Sequence, residues 1–154
     1  MTAQEIKDLF VSYAALVYEV DSLRTEHKNI EMRYARSPFA AADKKEQLRR
    51  CERLCQKIIA REKELIITRD RLETMMTYIK IPFGRAIIRK RYFLRESWQK
   101  LSFGVNYSMR QCITIQSKAF AEISEKINTM PNREKQLSSA KKARAKHFKI
   151  SDFS

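Results

Sequence analysis

Arg110, Gln111, Thr114, Ser117 and Lys118 recur at the short steps that bring side chains onto one face of an α-helix. Guanidinium, carboxamide, hydroxyl and ammonium groups on one face make a donor array that suits base edges in a major groove and phosphate oxygens. No acidic residue interrupts the array before Glu122. The opposite face carries Cys112, Ile115, Ala119 and Ile123, a stripe to be buried. A solvated surface helix offers the same polar face, so the array needs its context.

The context is a pair of helices joined by a tight turn. Ser97 can cap a short helix that begins at Trp98, with Trp98 and Leu101 on its inner face. Gly104 and Asn106, residue types that enter positive φ cheaply, mark the turn. Ser108 is then a second N-cap. With an apolar helix before it (Ala86, Ile87, Ile88, Phe93), the segment 82–130 reads as a helix-turn-helix unit. In this reading Arg110, Gln111, Thr114 and Lys118 face bases. Ser108 and Ser117, with the cluster Arg89, Lys90, Arg91 and Arg95, face the DNA backbone. The bland alternative for that cluster is a solvated basic face. Trp98 could stack on single-stranded bases, but its place at the helix start points to core packing.

The segments RYF, SWQKL, NYSMRQC and KAF resemble region 4 of the sigma-70 family, where a helix ending in R-Y-F precedes S-W-x-x-I-A, a tight turn and a recognition helix. The order of a helical N-terminal region and such a unit in a small basic chain is similar to phage late-gene transcription regulators of the RinA/ArpU kind. Here Asn106 replaces the turn glycine, Gln99-Lys100 the acidic pair, Ser102 a small residue and Cys112 an apolar one. The resemblance implies a transcriptional regulator of a phage or prophage, acting on double-stranded DNA. It also implies RNA polymerase as a possible protein partner.

Charge agrees with an acidic partner. The chain of 154 residues carries a net +14, with 32% charged residues. The excess is +3 in residues 1–81, +6 in 82–130 and +5 in 131–154, so it concentrates on and after the helix-turn-helix. Lys141, Lys142 and Arg144 belong to a basic run that the pattern predicts to be a disordered tail able to follow phosphates, or a solubilising tail without a ligand.

Two glycines, three prolines and little period-2 alternation predict an all-α chain. Leu9, Tyr13, Leu16, Val20, Leu23, His27, Ile30 and Tyr34 form a heptad seam in a first helix that ends before Ser37-Pro38. Asp43, with Glu46 as box partner, is the expected cap of a second helix running to about Lys80, its seam from Leu48 through Cys51, Cys55, Ile58, Glu62, Leu65, Arg69, Leu72 and Met76 to Ile79. The two make an antiparallel hairpin over 1–81. Phe10, Val17, Leu54, Ile59, Ile66, Ile67 and Met75 lie off the strict seam, which predicts that hairpins pair into a homodimer or that the hairpin packs on the helix-turn-helix. Leu9, Tyr13, Leu16, Val20, Leu23, Ile58, Leu65 and Leu72 are the expected oligomerisation set. Pro82 and Gly84 mark the boundary that follows.

Neither a phosphate-binding glycine loop nor a metalloprotease helix motif occurs, and the histidines are His27 and His147. The expectation is no enzyme, no cofactor and no metal. Cys51, Cys55 and His27 could begin a metal site across the hairpin, yet both cysteines fall on the seam, which favours packing. Glu62 is expected to face Arg69 or a partner helix. Three cysteines and no apolar run in the first thirty residues point to a cytoplasmic chain without a membrane span. The alternatives to a regulator are a DNA-packaging recognition subunit and a coiled-coil adaptor for a protein such as RNA polymerase.

Overall fold

Long runs of helix formers at heptad spacing, broken at few points by proline or glycine, leave the backbone one economical way to satisfy its hydrogen bonds. The computed structural model describes residues 1–36 and 41–131, and there the chain is all-α. The five helices are α1 (Ala3–Arg36), α2 (Ala41–Met76), α3 (Gly84–Ile88), α4 (Trp98–Val105) and α5 (Met109–Thr129), with a π-helical turn at Arg89–Phe93. At 1.5 Å per residue α1 and α2 are each about 50 Å long. Lys141, Lys142 and Arg144 lie outside the described residues, as does the Ser37-Pro38 break.

The chain divides into two compact units. One is Tyr13–Thr68, the paired parts of α1 and α2. Leu23, Ile30 and Leu54 form its core, with Cys51 and Ile58 packed against them. Arg24 binds Glu62, His27 Nε2 lies 3.1 Å from Cys55 Sγ, and Arg61 Nε lies 3.2 Å from Glu19. From Arg24–Glu62 to His27–Cys55 residue numbers rise on α1 and fall on α2, so the pair is antiparallel. Glu62 thus takes Arg24, not Arg69, because an antiparallel seam brings the middle of α2 to the middle of α1.

The other unit joins Met1–Ser12 to the described residues from Arg69 to Pro131. Phe10 is fully buried, its ring centroid 5.7 Å from Tyr92, 6.3 Å from Phe93 and 5.4 Å from Phe120. Burying one such side chain contributes about 1.5–3 kcal/mol. A second cluster, Ile87, Leu101 and Cys112, is flanked by Trp98, Val105, Tyr107 and Ile115. Trp98 is therefore core-facing.

Several local expectations change. The second long helix begins at Ala41, so Asp43 lies in its first turn and Glu46 reaches Arg53 and Arg49 instead of an N-cap amide. It stops at Met76, short of Lys80, and Leu48 is exposed. The break at 77–84 is held by cross-connections: Lys80 and Ile81 amides donate to the Glu122 carboxylate at 2.8 and 3.0 Å, and Arg85 donates to the Thr77 and Ile79 carbonyls. The reversal itself falls on Phe83, at φ 64°, whose ring meets Tyr107 edge-on at 5.4 Å. Gly84 serves a different need. A β-carbon there would come within 2.7 Å of side-chain carbons of Ile79 and Ile81.

Candidate nucleic-acid interface

The helix-turn-helix geometry starts with its caps. Ser97 accepts from the Lys100 amide at 3.2 Å and starts α4. Ser108 accepts from the Gln111 amide at 3.1 Å while its own amide donates to Gln111 Oε1 at 2.9 Å, a complete capping box at the start of α5. Between the helices Asn106 alone takes positive φ, 61°. Gly104 remains helical, because one left-handed residue at the C-terminus is enough to end α4 and turn the chain. Ser102 donates to the Tyr107 carbonyl and ties the turn to α4.

Cys112, Ala119 and Ile123 are fully buried and Ile115 is half-buried, as the apolar stripe required. Burial pushes the Cys112 thiol above its ordinary range, so it stays a neutral hydrophobe. Gln116 is buried with them, 3% exposed, and accepts from the Tyr92 hydroxyl at 2.9 Å. Sequence periodicity alone does not find this residue, since its partner lies on another element.

Arg110, Gln111, Thr114, Ser117 and Lys118 all lie on the exposed side of α5. They are brought together, but not as equals. The carbonyl end of Gln111 is engaged in the capping box, leaving its amide nitrogen for an outside acceptor. Thr114 and Ser117 donate their hydroxyl protons to the carbonyls of Arg110 and Ile113 at 2.9 and 3.0 Å. Their outward lone pairs then accept, a match for the amino groups of adenine or cytosine. Arg110 and Lys118 are the strong donors, about 12 Å apart along the axis at 1.5 Å per residue. Met109 and Ile113 are also exposed on this helix. Such apolar groups can meet thymine methyls, and sequence reasoning passed over them because it sought donors.

From Ser97 to Ala121 the chain holds no acidic residue, and the acids at either end are drawn inward. Glu96 lies 3.8 Å from Lys90, and Glu122 is held by the Lys80 and Ile81 amides. The exposed cations of this stretch are Lys100, Arg110 and Lys118, so an anion approaching it meets positive charge.

The basic cluster before α4 has internal tasks. Arg89 binds Glu73 through both nitrogens at 2.8 Å, which raises the arginine and lowers the carboxyl, and its guanidinium lies 5.3 Å from the Phe93 ring centre, with that of Arg69 at 5.0 Å. Arg91 donates to the Glu96 carbonyl at 2.9 Å and covers the Trp98 ring at 4.9 Å. Arg95 takes φ 57° where the π-helical turn ends. Lys90 to Arg95 thus build the entry to α4, and Arg89 in particular has its charge answered.

The oligomerisation set is partly accounted for inside the chain. Tyr13, Val20, Leu23 and Leu72 are buried, and Leu9, Leu16, Ile58 and Leu65 are half-buried. The buried four pack within the monomer, and the half-buried four keep part of their apolar surface open. Cys51 and Cys55 are half-buried and unbridged, and burial, with Glu31 and Cys55 nearby, pushes the Cys51 thiol up. Among the described residues no group of three or more histidine, cysteine or acidic side chains is placed to hold a metal. No helix among them is long and apolar enough to cross a membrane. Comparison with protein-family models, curated proteins and solved structures gives no match.

Proposed function

We propose that the chain is a sequence-specific double-stranded DNA-binding transcriptional regulator, with α5 as the recognition helix. The observation that carries this reading is the acid-free stretch from Ser97 to Ala121, with Arg110 and Lys118 exposed on one face of a well-capped α5. A helix N-terminus directed at a groove and flanked by cations has both the shape and the charge to dock there. In this reading Arg110 reads a guanine edge, Thr114 and Ser117 accept from amino groups, and Lys100 and Lys118 grip phosphates. The sigma-like motifs extend the reading to a phage or prophage late-gene activator.

A second reading rests on Phe103, which is 89% exposed on the outer side of α4, and on Leu94, also exposed. Apolar side chains so placed suit a protein contact, which would make the unit an adaptor for a partner such as RNA polymerase.

The test is recovery of fragments from bacterial and phage DNA by the purified chain at near-physiological salt. Enrichment of a narrow set upstream of one gene cluster supports the regulator. Even recovery of every fragment turns the assignment to the adaptor.

A further inference from the structure

The helix α1 carries two heptad seams, on opposite faces. The inner one packs against α2. The outer one, two residues out of step, runs Ala15, Tyr18, Ser22, Thr25, Asn29 and Met32 at alternating steps of three and four. All six are exposed and none is charged, on a helix whose other exposed positions mix glutamate, arginine and lysine. A solvated face has no reason to exclude charge at every seam position over this length. A face that receives another helix does.

The polar members of the seam are prepared for burial. Ser22 donates its hydroxyl to the Tyr18 carbonyl at 2.8 Å, and Thr25 donates to the Asp21 carbonyl at 2.9 Å. Covering them strands no hydroxyl proton. Beside the seam runs an open groove of about 860 Å³, lined by Tyr18, Thr25 and Asn29 of α1 and by Gln47 and Arg50 of α2.

We infer that this face is a homodimer interface in which α1 of one copy lies antiparallel on α1 of a second. The occupant follows from size and charge. In the antiparallel register Ala15 faces Met32 of the second copy, Tyr18 faces its Asn29, and Ser22 faces its Thr25. Small Ala15 meets large Met32, the tyrosine hydroxyl meets a carboxamide, and the hydroxyl residues Ser22 and Thr25 meet each other. The flanking positions are Asp21 and Lys28 on one side and Glu19 and Glu26 on the other. Asp21 then faces Lys28 of the second copy, twice by symmetry. Glu19 faces Glu26, but Glu19 carries Arg61 at 3.2 Å and Glu26 shares the groove with Arg50. A parallel pairing would set Asp21 against Glu26 and Lys28 against Arg33, like charge against like on both sides, so charge selects the antiparallel arrangement. This seam is independent of whether the chain binds DNA, and it differs from the inner residues already used by the monomer.

Sedimentation equilibrium of the full chain at about 0.1 M salt, where screening is moderate, tests it. The wild type is expected to dimerise. Asp21→Lys, at a half-buried position with Arg24 at 3.9 Å, and Lys28→Asp, at an exposed one, should each weaken the dimer by on the order of tenfold, and the double variant D21K/K28D should restore it. Helicity by circular dichroism checks that the variants fold. A wild type that stays monomeric to about 0.1 mM, well above micromolar association, overturns the inference. So does a dimer indifferent to both single variants, which would place the contact elsewhere. A dimer strengthened by D21K overturns the antiparallel register.

Discussion

Tyr92 and Gln116 meet at 2.9 Å inside an otherwise apolar core, the phenol donating to the carboxamide oxygen. The π-helical turn at Arg89–Phe93 delivers Tyr92 to that point, and Gln116 belongs to the inner side of the proposed recognition helix. The bond therefore fixes α5 against the element that precedes α4. Tyr92→Phe leaves the buried Gln116 oxygen without its donor and is expected to destabilise by about 1–3 kcal/mol, read by urea unfolding. Burial also raises the Tyr92 pKa. A group raised in the folded state contributes fully below its unfolded value, near pH 10 for a phenol, and loses that contribution as pH rises through the folded value. The gap between wild type and Tyr92→Phe should narrow above that pH. An unchanged gap would mean that the folded chain does not shelter the phenol from ionisation.

Glu73 and Arg89 give the opposite pH sign. The bidentate Arg89 contact lowers the Glu73 pKa. The pair's contribution is thus present above the unfolded carboxylate value and lost as pH falls through the lower folded one. Both side chains are more than a third exposed, so solvent screening limits the effect. Glu73→Gln is expected to cost about 0.5–1 kcal/mol at pH 7. Near pH 2 the two proteins should unfold together; a difference that persists there would assign the loss to geometry rather than charge.

The two glycines should respond in opposite directions to alanine. At Gly84 the new methyl would meet Ile79 and Ile81 at 2.7 Å, close to a knot of backbone bonds from Glu122 and Arg85 that resists adjustment. Overpacking of this kind costs about 1–3 kcal/mol. At Gly104 the nearest atom is the flexible Lys90 Nζ at 4.0 Å and the backbone is helical. Gly104→Ala should be neutral or add up to about 1 kcal/mol. Urea midpoints of the two variants check both signs, and a large loss at Gly104 would mean that α4 does not continue through it.

What the sequence made legible was local or strictly periodic. Ser97 and Ser108 announce helix starts through side chains that reach their own amides, and Cys112, Ala119 and Ile123 announce a buried stripe through spacing. What stayed hidden depends on partners distant in sequence. Gln116 reads as polar until Tyr92 is beside it. Nothing beside Arg89 in sequence announces Glu73 as its partner, and Phe83 gives no sign of a left-handed backbone that packing against Tyr107 accompanies. Leu48 satisfies the heptad and is exposed all the same. The outer seam of α1 is hidden for another reason: absence of charge is a weaker signal than presence of apolar residues.

Arg110 and Lys118 provide the separation between reading a sequence and holding a polymer. Arg110 stands in the first turn of α5 and Lys118 two turns further, so a helix entering a groove tip-first brings the former to base edges and the latter to the phosphate wall. Arg110→Ala is expected to cost about 1–3 kcal/mol on the selected site and to relax preference at one base pair. Lys118→Ala should weaken binding to all sequences alike and reduce the slope of log affinity against log salt by about one. Ile113→Ala completes the comparison: if Ile113 packs on a thymine methyl, replacing that thymine by uracil should weaken the wild type several-fold and leave the variant unaffected. Titrations on the selected and a scrambled duplex at several salt concentrations measure all three. Equal losses on both duplexes for Arg110→Ala would remove it from base reading and leave α5 a basic surface held to DNA by charge alone.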